Sequence, residues 1–443
     1  MYILVYSLLK DKLSALLSSL LYLWLPYHFL IIYVGASIGT AFIFTFLPLI
    51  FLGIYLSGEK SKWGVVILTF SLTGVILSQV MNLAFLLPAI FIFTLWRLLS
   101  TSLKKLLIKN ILFGIMLSVL ISAFYLLPAT FYKQATRFHT ERGIGKIYER
   151  NFLNFKQLIY SKWGFSPIIN NAKNEEISFQ LGFAQWASVA LILLLLAQKK
   201  VLKTYKSLSV YLLLGFITSI FFTNDLSKPV WDLIVNLAAV DFPFRLVLPA
   251  AFTASILSGV ALISFKGKVK LIVFIMLTMT ALYTNRNHIN VNEYTNLPVS
   301  TYLGMETEIT TNTYHEYLPI QATSKLFEKP WNEIVGENLT VTKVKQTTNL
   351  LSFNVVAQAA QKVSLGQLYF PGQTLYVDKV INKFETDKQG RISFTLTEGV
   401  HQIMVKYQDT TLVKISKLLS MLGLVIFLSI ILWHKKQYFY RKK

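Results

Sequence analysis

Between Thr411 and Trp433 the chain runs for more than twenty residues with only Lys414 and Lys417 charged, both at its start. As a helix, such a run crosses a bilayer core of roughly 30 Å with every backbone group satisfied internally. Similar apolar runs lie near residues 13–27, 38–57, 63–79, 80–98, 111–130, 182–198, 207–223, 246–265 and 271–284. The sequence therefore predicts a polytopic α-helical membrane protein of about ten transmembrane helices. The last of these runs is short for a span, and the reading needs Lys270 to snorkel toward the interface.

The formal charge of +22 would suggest a nucleic-acid partner in a soluble chain. Its placement gives a different reading. Twenty cations fall in the stretches near residues 10–12, 60–62, 97–109, 199–206 and 266–270 and in the tail 434–443, with only Asp11 and Glu59 among them. Those stretches alternate with the predicted spans so that all share one face, as the positive-inside pattern requires of cytoplasmic loops. The partner implied is the lipid bilayer, with anionic headgroups, and no nucleic acid. The expected location is a bacterial plasma membrane, crossed many times, with the tail cytoplasmic.

On that topology every long hydrophilic segment lies outside. The predicted organisation is a multi-helix membrane domain over 1–284 with outer loops at 131–181 and 224–245. An extracytoplasmic β-rich domain follows over 285–411, then the final span at 412–433 and the basic tail. The β prediction rests on period-two alternation in Leu351-Phe353-Val355, Val363-Leu365, Leu375-Val377, Ile392-Phe394-Leu396 and Ile403-Val405-Tyr407, with turns at Pro371-Gly372, Lys388-Gln389-Gly390 and Glu398-Gly399. Short strands at that spacing predict a small antiparallel sandwich. Residues 285–336 read as a wrapping or linking segment. With no cysteine, the sandwich must be held by its own core.

The amino terminus breaks the pattern. Met1–Leu9 is apolar but covers only about 13 Å as a helix before Lys10-Asp11-Lys12. Joining it to the next run would put three charges in mid-helix at about 2.5–3.5 kcal/mol each. It reads either as the last turns of a helix that began earlier or as a short interfacial segment. Prolines at 48, 88, 128 and 249 invite kinks, and Pro128 and Pro249 lie where a kink would open a cavity toward the outer leaflet.

No Walker A loop, GxGxxG turn, Gly-x-Ser-x-Gly elbow or HExxH pair is present, and the six histidines have no ligand spacing. No metal site or cofactor is identified. The spans hold almost no ionisable group, which disfavours an ion-coupled transporter. Polar chemistry collects in the two outer loops. In the first, Tyr160 and Trp163 offer ring faces for a sugar, and Gln180, just before a helix start, offers an amide for its hydroxyls. An ordinary interfacial aromatic belt has the same composition. In the second, Arg245 of Asp241-Phe242-Pro243-Phe244-Arg245 suits a lipid phosphate and Asp241 is a weak candidate base. A snorkelling arginine beside an aspartate is the plainer alternative.

The ordered segments LYLWLPYHFLIIYV (21–34), FLPLIFLGIY, AFYLLPA, YSKWGFSP, SFQLGFAQW, DFPFR and LYFPGQTLYVD resemble the bacterial YfhO-like membrane proteins and the related 6-pyruvoyl-tetrahydropterin synthase-related membrane proteins. The resemblance spans nearly the whole chain. Nothing in the residues suggests a pterin site. What it implies is a GT-C-like architecture and a membrane glycosyltransferase (hexosyltransferase), taking sugar from a polyprenyl-phosphate donor to a cell-envelope glycan acceptor at the outer face. In such enzymes a carboxylate of the first outer loop is base or metal ligand. This chain reads as starting downstream of that loop, so a divalent metal is expected only if an earlier segment supplies its ligands. Relatives carry an Arg and a Glu where this chain has Gly35 and Thr40, whereas the Phe-Pro-aromatic-Arg element is kept. The alternative is a non-catalytic membrane protein whose outer β domain binds an envelope glycan or a protein partner.

Overall fold

The computed structural model describes residues 1–59, 61, 63–137, 147–161, 178–234, 242–289, 296, 298, 318–322 and 334–442. The chain divides into two compact units. One comprises Met1–Ser122, Ile144–Tyr294 and Met421–Lys443, the other Ala123–Gly143 and Thr295–Ser420.

The first unit is helical. Its elements are α1 Tyr2–Leu9, α2 Lys12–Leu23, α3 Pro26–Phe29 continuing as a π-wound turn over Leu30–Val34, α4 Ile38–Ser57, α5 Trp63–Gln79, α6 Met81–Ser100 and α7 Lys104–Ile121. After α8, Ala123–Phe131 of the second unit, it resumes with α9 Phe155–Ile159, α10 Phe183–Ala197, α11 Lys203–Thr223, α12 Lys228–Ile234, α13 Val247–Ile263 and α14 Gly267–Thr284, and α15 Thr411–Lys442 ends the chain. Among the described residues six helices are long and apolar enough to cross a membrane singly. Two bent pairs, Lys12–Leu23 with Pro26–Val34 and Lys104–Ile121 with Ala123–Ala135, raise the number to eight. Trp63–Gln79 and Phe183–Ala197, at 17 and 15 residues, are shorter apolar helices. Every run predicted from the sequence is thus helical, and the chain has the helices of a multi-pass membrane protein.

The prolines act differently from the expectation. Pro48 and Pro88 lie inside unbroken helices. Pro249 occupies the first turn of α13, where no intrahelical donor is needed. The 71° bend falls at Ser122, ahead of Pro128. The backbone N–H of Phe124, freed by that break, donates to the Ser420 hydroxyl at 2.8 Å. Gly423 brings α15 close against the break; a Cβ there would lie 2.9 Å from the Ile121 nitrogen.

Helix α13 is the post of the bundle, buried from Val247 through Leu262. Small residues recur four apart in Ala250-Ala254-Ser258 and Ala251-Ser255-Gly259, so neighbouring backbones approach closely. A Cβ on Gly259 would meet the Ser18 hydroxyl at 2.5 Å and the Ser14 carbonyl at 3.0 Å. The amino-terminal helix packs here too, burying Leu4, Val5, Leu8 and Leu9. Its last carbonyl, Leu9, accepts from the Tyr205 hydroxyl at 2.9 Å.

Both acids of the basic connections are paired. Asp11 caps α2 by accepting from the Ser14 N–H at 2.8 Å and holds Lys270 at 2.7 Å, so the Lys270 ammonium is anchored by a carboxylate at the start of α14. Glu59 meets Arg97 at 2.5 Å, and the buried guanidinium also donates to the Tyr55 carbonyl at 3.1 Å.

In the second unit, strands β1 Leu339–Thr347, β2 Leu350–Ala357, β3 Gln361–Leu368, β4 Gln373–Val377, β5 Val380–Asn382, β6 Glu385–Thr386, β7 Arg391–Leu396 and β8 Gly399–Tyr407 form two antiparallel sheets. Their orders are β1-β2-β8-β4-β5 and β3-β7-β6. The predicted inward residues Phe353, Val355, Val363, Leu365, Leu375, Ile392, Phe394, Leu396, Ile403 and Val405 join one core from both sheets. Tyr407 turns outward, and β1, largely exposed, carries too few apolar residues to be read from periodicity. Much of 285–336 lies outside the described residues. Within it, Leu318 accepts from the Arg137 N–H at 2.9 Å and the Ile320 N–H donates to Ala135, which ties the end of the bent helix to this unit.

Candidate functional site

The end of the bundle away from the basic connections is built on the turn that starts α13. Proline fixes the backbone after Phe242, and Pro243–Leu246 winds as a 3-10 turn, with the Arg245 N–H donating to the Phe242 carbonyl at 3.0 Å. Phe244 is buried and stacks on Phe179 at 4.4 Å and on Phe242 at 5.2 Å. That packing holds Arg245 at the edge of the bundle, half-buried, with its guanidinium carbon 5.1 Å from the centre of the Phe242 ring and 5.5 Å from that of Phe85 on α6. Ring faces carry negative quadrupole density that favours the cation, while the guanidinium donors lie in its own plane and suit a phosphate or carboxylate fork.

Phe85 belongs to an apolar group with Tyr148, Phe152, Trp231 and Leu246. The Trp231 indole N–H donates to the Ser227 hydroxyl at 3.1 Å and lies 3.2 Å from the Phe222 carbonyl. An ionic cluster adjoins this group. Lys228 reaches Asp232, one helical turn on, at 3.0 Å and Glu149 at 3.1 Å, and the Tyr148 hydroxyl donates to Asp232. Burial and the Asp232 carboxylate push the Tyr148 phenol up to about 12, and the two acids hold the Lys228 ammonium above the usual lysine range. This cluster joins the two polar segments, 131–181 and 224–245, that the sequence presents separately.

A neutral polar group lies where the start of α4, the end of α5 and the start of α6 meet. The Asn82 amide nitrogen donates to the Thr40 hydroxyl at 3.1 Å and to the Gln79 Oε1 at 2.9 Å, and Ser37 and Thr40 share a hydrogen bond of 2.8 Å. Among the described residues the buried Asn82 Oδ1 has no donor. Asn82 precedes Phe85 by three residues, so both lie on the α6 face that meets the Arg245 turn. Thr40, standing where the resemblance leads one to expect a glutamate, thus makes a neutral hydroxyl–amide network.

Of the residues singled out from sequence, the structure brings Arg245, Tyr160 and Gln180 to this end of the bundle. Tyr160 terminates α9 and is 58% exposed, as a stacking ring must be. Gln180 follows the Phe179 that stacks on Phe244, but its amide points inward. It is buried, with Nε2 2.8 Å from Nε2 of His288, whose burial lowers its basicity and favours the neutral ring. The amide expected to meet sugar hydroxyls is therefore engaged within the protein. Trp163 and Asp241 lie outside the described residues. Asp232, Tyr148 and Asn82 were not singled out. The Lys228–Asp232 spacing on a helix was a usable signal, whereas the long-range Tyr148–Asp232 bond has none in sequence. Among the described residues no three His, Asp or Glu side chains gather as a metal site would require.

Comparisons with protein-family models, with curated proteins and with solved structures find no match to this chain. The resemblance to the YfhO-like proteins rests on the quoted segments alone.

Proposed function

We propose that this chain is a GT-C-like membrane protein that receives a polyprenyl-phosphate-linked sugar at the Arg245 end of its bundle, on the extracytoplasmic side of a bacterial plasma membrane. The side follows from the basic connections at the other end, which the positive-inside pattern assigns to the cytoplasm. The observation that carries the reading is the placement of Arg245, a cation fixed between Phe85 and Phe242 at the edge of an apolar bundle. A lipid phosphate in the interface meets there a planar donor with aromatic walls for the first isoprene units. In transfer, an acceptor hydroxyl gives its proton to a carboxylate and its oxygen bonds to the anomeric carbon. The bond from that carbon to the phosphate oxygen breaks, and Arg245 holds the charge of the departing lipid phosphate. Asp241 is the sequence candidate for the carboxylate. Asp232, about half exposed and hydrogen-bonded by Tyr148, is a second.

The test is binding of undecaprenyl-phosphate-glucose to purified protein in nanodiscs. Arg245→Ala is expected to weaken it by roughly ten- to a hundredfold, the worth of a charge-assisted bidentate contact, and Arg245→Lys to restore part. Unchanged affinity in Arg245→Ala sinks the role. A second reading, a non-catalytic protein whose β unit binds an envelope glycan or protein, is favoured by that unit's own two-sheet core and by a cleft in it whose described lining is uncharged.

A further inference from the structure

The β unit carries a cleft of about 520 Å³, within the roughly 300–1,000 Å³ range of small-molecule sites. It is built where both edge strands lose register. On β1, Thr342 pairs with Asn354 and Lys345 with Ser352, so Lys343 and Val344 together oppose Phe353, with Lys343 in the left-handed region at φ 54°. On β3, Ser364 pairs with Ser393 and Leu368 with Arg391, so Leu365, Gly366 and Gln367 together oppose Ile392. β1 is the edge of one sheet and β3 the edge of the other. The bulges turn Val344 and Gln367 into the wall of the same cleft.

The lining has a consistent chemistry. Among the described residues its polar side chains are the carboxamides of Gln346, Gln367 and Gln373, and none of those lining it is charged. Phe370, 37% exposed, supplies a ring, and Val341 and Val344 supply apolar wall. Gln373 is braced by the Phe370 N–H, which donates to its Oε1 at 2.7 Å and ties the ring to the amide. The buried Gln367 Oε1 has no donor among the described residues. A carboxamide both donates and accepts, as a hydroxyl does, and turning the Gln367 amide into the cleft would give its acceptor a partner.

From this we infer that the cleft between β1 and β3 binds a neutral oligosaccharide. The inference rests on the second reading above, that the β unit meets envelope material, and names the site and the ligand class. An anionic polymer would find no cation among the described lining residues. A peptide adding to either edge strand would need an unbroken ladder, which both bulges interrupt. A lipid chain would leave the Gln367 acceptor, which has no donor among the described residues, still unsatisfied. A sugar matches both halves of the surface, its C–H face on Phe370 and its hydroxyls on the amides.

The experiment uses the full chain in nanodiscs, titrated with maltohexaose, cellohexaose and chitohexaose, with hexagalacturonate as an acidic probe. At least one neutral hexasaccharide is expected to bind. Phe370→Ala should weaken it about tenfold through loss of the stacking face. Val344→Trp should abolish binding by filling the cleft from an exposed position, and Gln367→Ala should weaken it. Val380→Trp, equally exposed on the opposite edge strand β5, should leave it unchanged and controls for folding. Binding of a neutral sugar that survives Val344→Trp and Phe370→Ala overturns the cleft while leaving glycan binding by the unit standing. Binding of hexagalacturonate alone overturns the ligand class but not the second reading. If none of the four probes binds wild type, the inference falls, and retention of an envelope protein by the full chain would then keep the second reading alive.

Discussion

Arg97 and Arg245 lie at opposite ends of the bundle and are held in different ways. Arg97, at the basic end, is 6% exposed and enclosed by the Glu59 carboxylate, the Tyr55 carbonyl and the Tyr55 ring at 4.5 Å. Arg245, at the other end, is half-buried and lies against two ring faces on the turn that launches the central helix. A carboxylate and a carbonyl use the in-plane donors of a guanidinium, and that contact closes a structure. Ring faces hold a guanidinium without a carboxylate, and under the proposed function its in-plane donors are what a lipid phosphate meets. The first arrangement is a lock between α4 and α6, the second a mount.

The largest predicted effect is on the lock. Glu59→Ala leaves a buried guanidinium without its carboxylate and should cost about 2 kcal/mol, discounted because Glu59 is half exposed. A thermal melt in detergent should fall accordingly, and adding Arg97→Leu should recover part of the loss. No recovery would mean that Arg97 contributes through packing rather than charge. Next, Gln180→Ala should cost about 1–2 kcal/mol by stripping His288 of its amide partner, with donor affinity unchanged. Weaker donor binding at unchanged melting temperature would return Gln180 to the substrate. Arg245→Ala should be the mildest of the three for stability, about 1 kcal/mol, the scale of the cation–ring contacts that hold the half-buried guanidinium against Phe85 and Phe242.

The ends should also fail at opposite extremes of pH. Burial would raise the Asp11 carboxyl, but the bonds from Lys270 and Ser14 outweigh it and hold the group below its ordinary value of 3.8. That contribution is complete above about pH 4 and is lost as pH falls further. Tyr148 is an acid whose folded pKa is raised, so its contribution is complete below its ordinary value of 10.0 and is lost as pH climbs toward about 12. Asp11→Asn should flatten the acid limb of a melting profile and Tyr148→Phe the alkaline limb. If either variant leaves its limb unmoved, that pairing does not contribute as described.

The sequence made the helices legible because an apolar run of span length has few alternatives, and the strands because Phe353, Val355, Ile403 and Val405 alternate strictly. The bend at Ser122 was not legible. Pro128 drew attention, whereas the partners that stabilise the break, Ser420 and Gly423, lie at the far end of the chain. Helix α8 pairs with α7 as a bent candidate span, but apolar composition does not say that it belongs to the second compact unit. At the site, Arg245 was found from the composition of its own turn. Its setting was not, since Phe85, Tyr148 and Trp231 come from three separate segments. The inward use of Gln180 depends on His288, a histidine with no spacing signal.

The contrast between lock and mount is tested most directly by measuring undecaprenyl-phosphate-glucose affinity and melting temperature together in Glu59→Ala and Arg245→Ala, each in nanodiscs. The account predicts that Glu59→Ala melts lower and binds like wild type, whereas Arg245→Ala melts close to wild type and binds at least about tenfold more weakly. Equal affinity in the two variants, or loss of donor binding in Glu59→Ala alone, would contradict it.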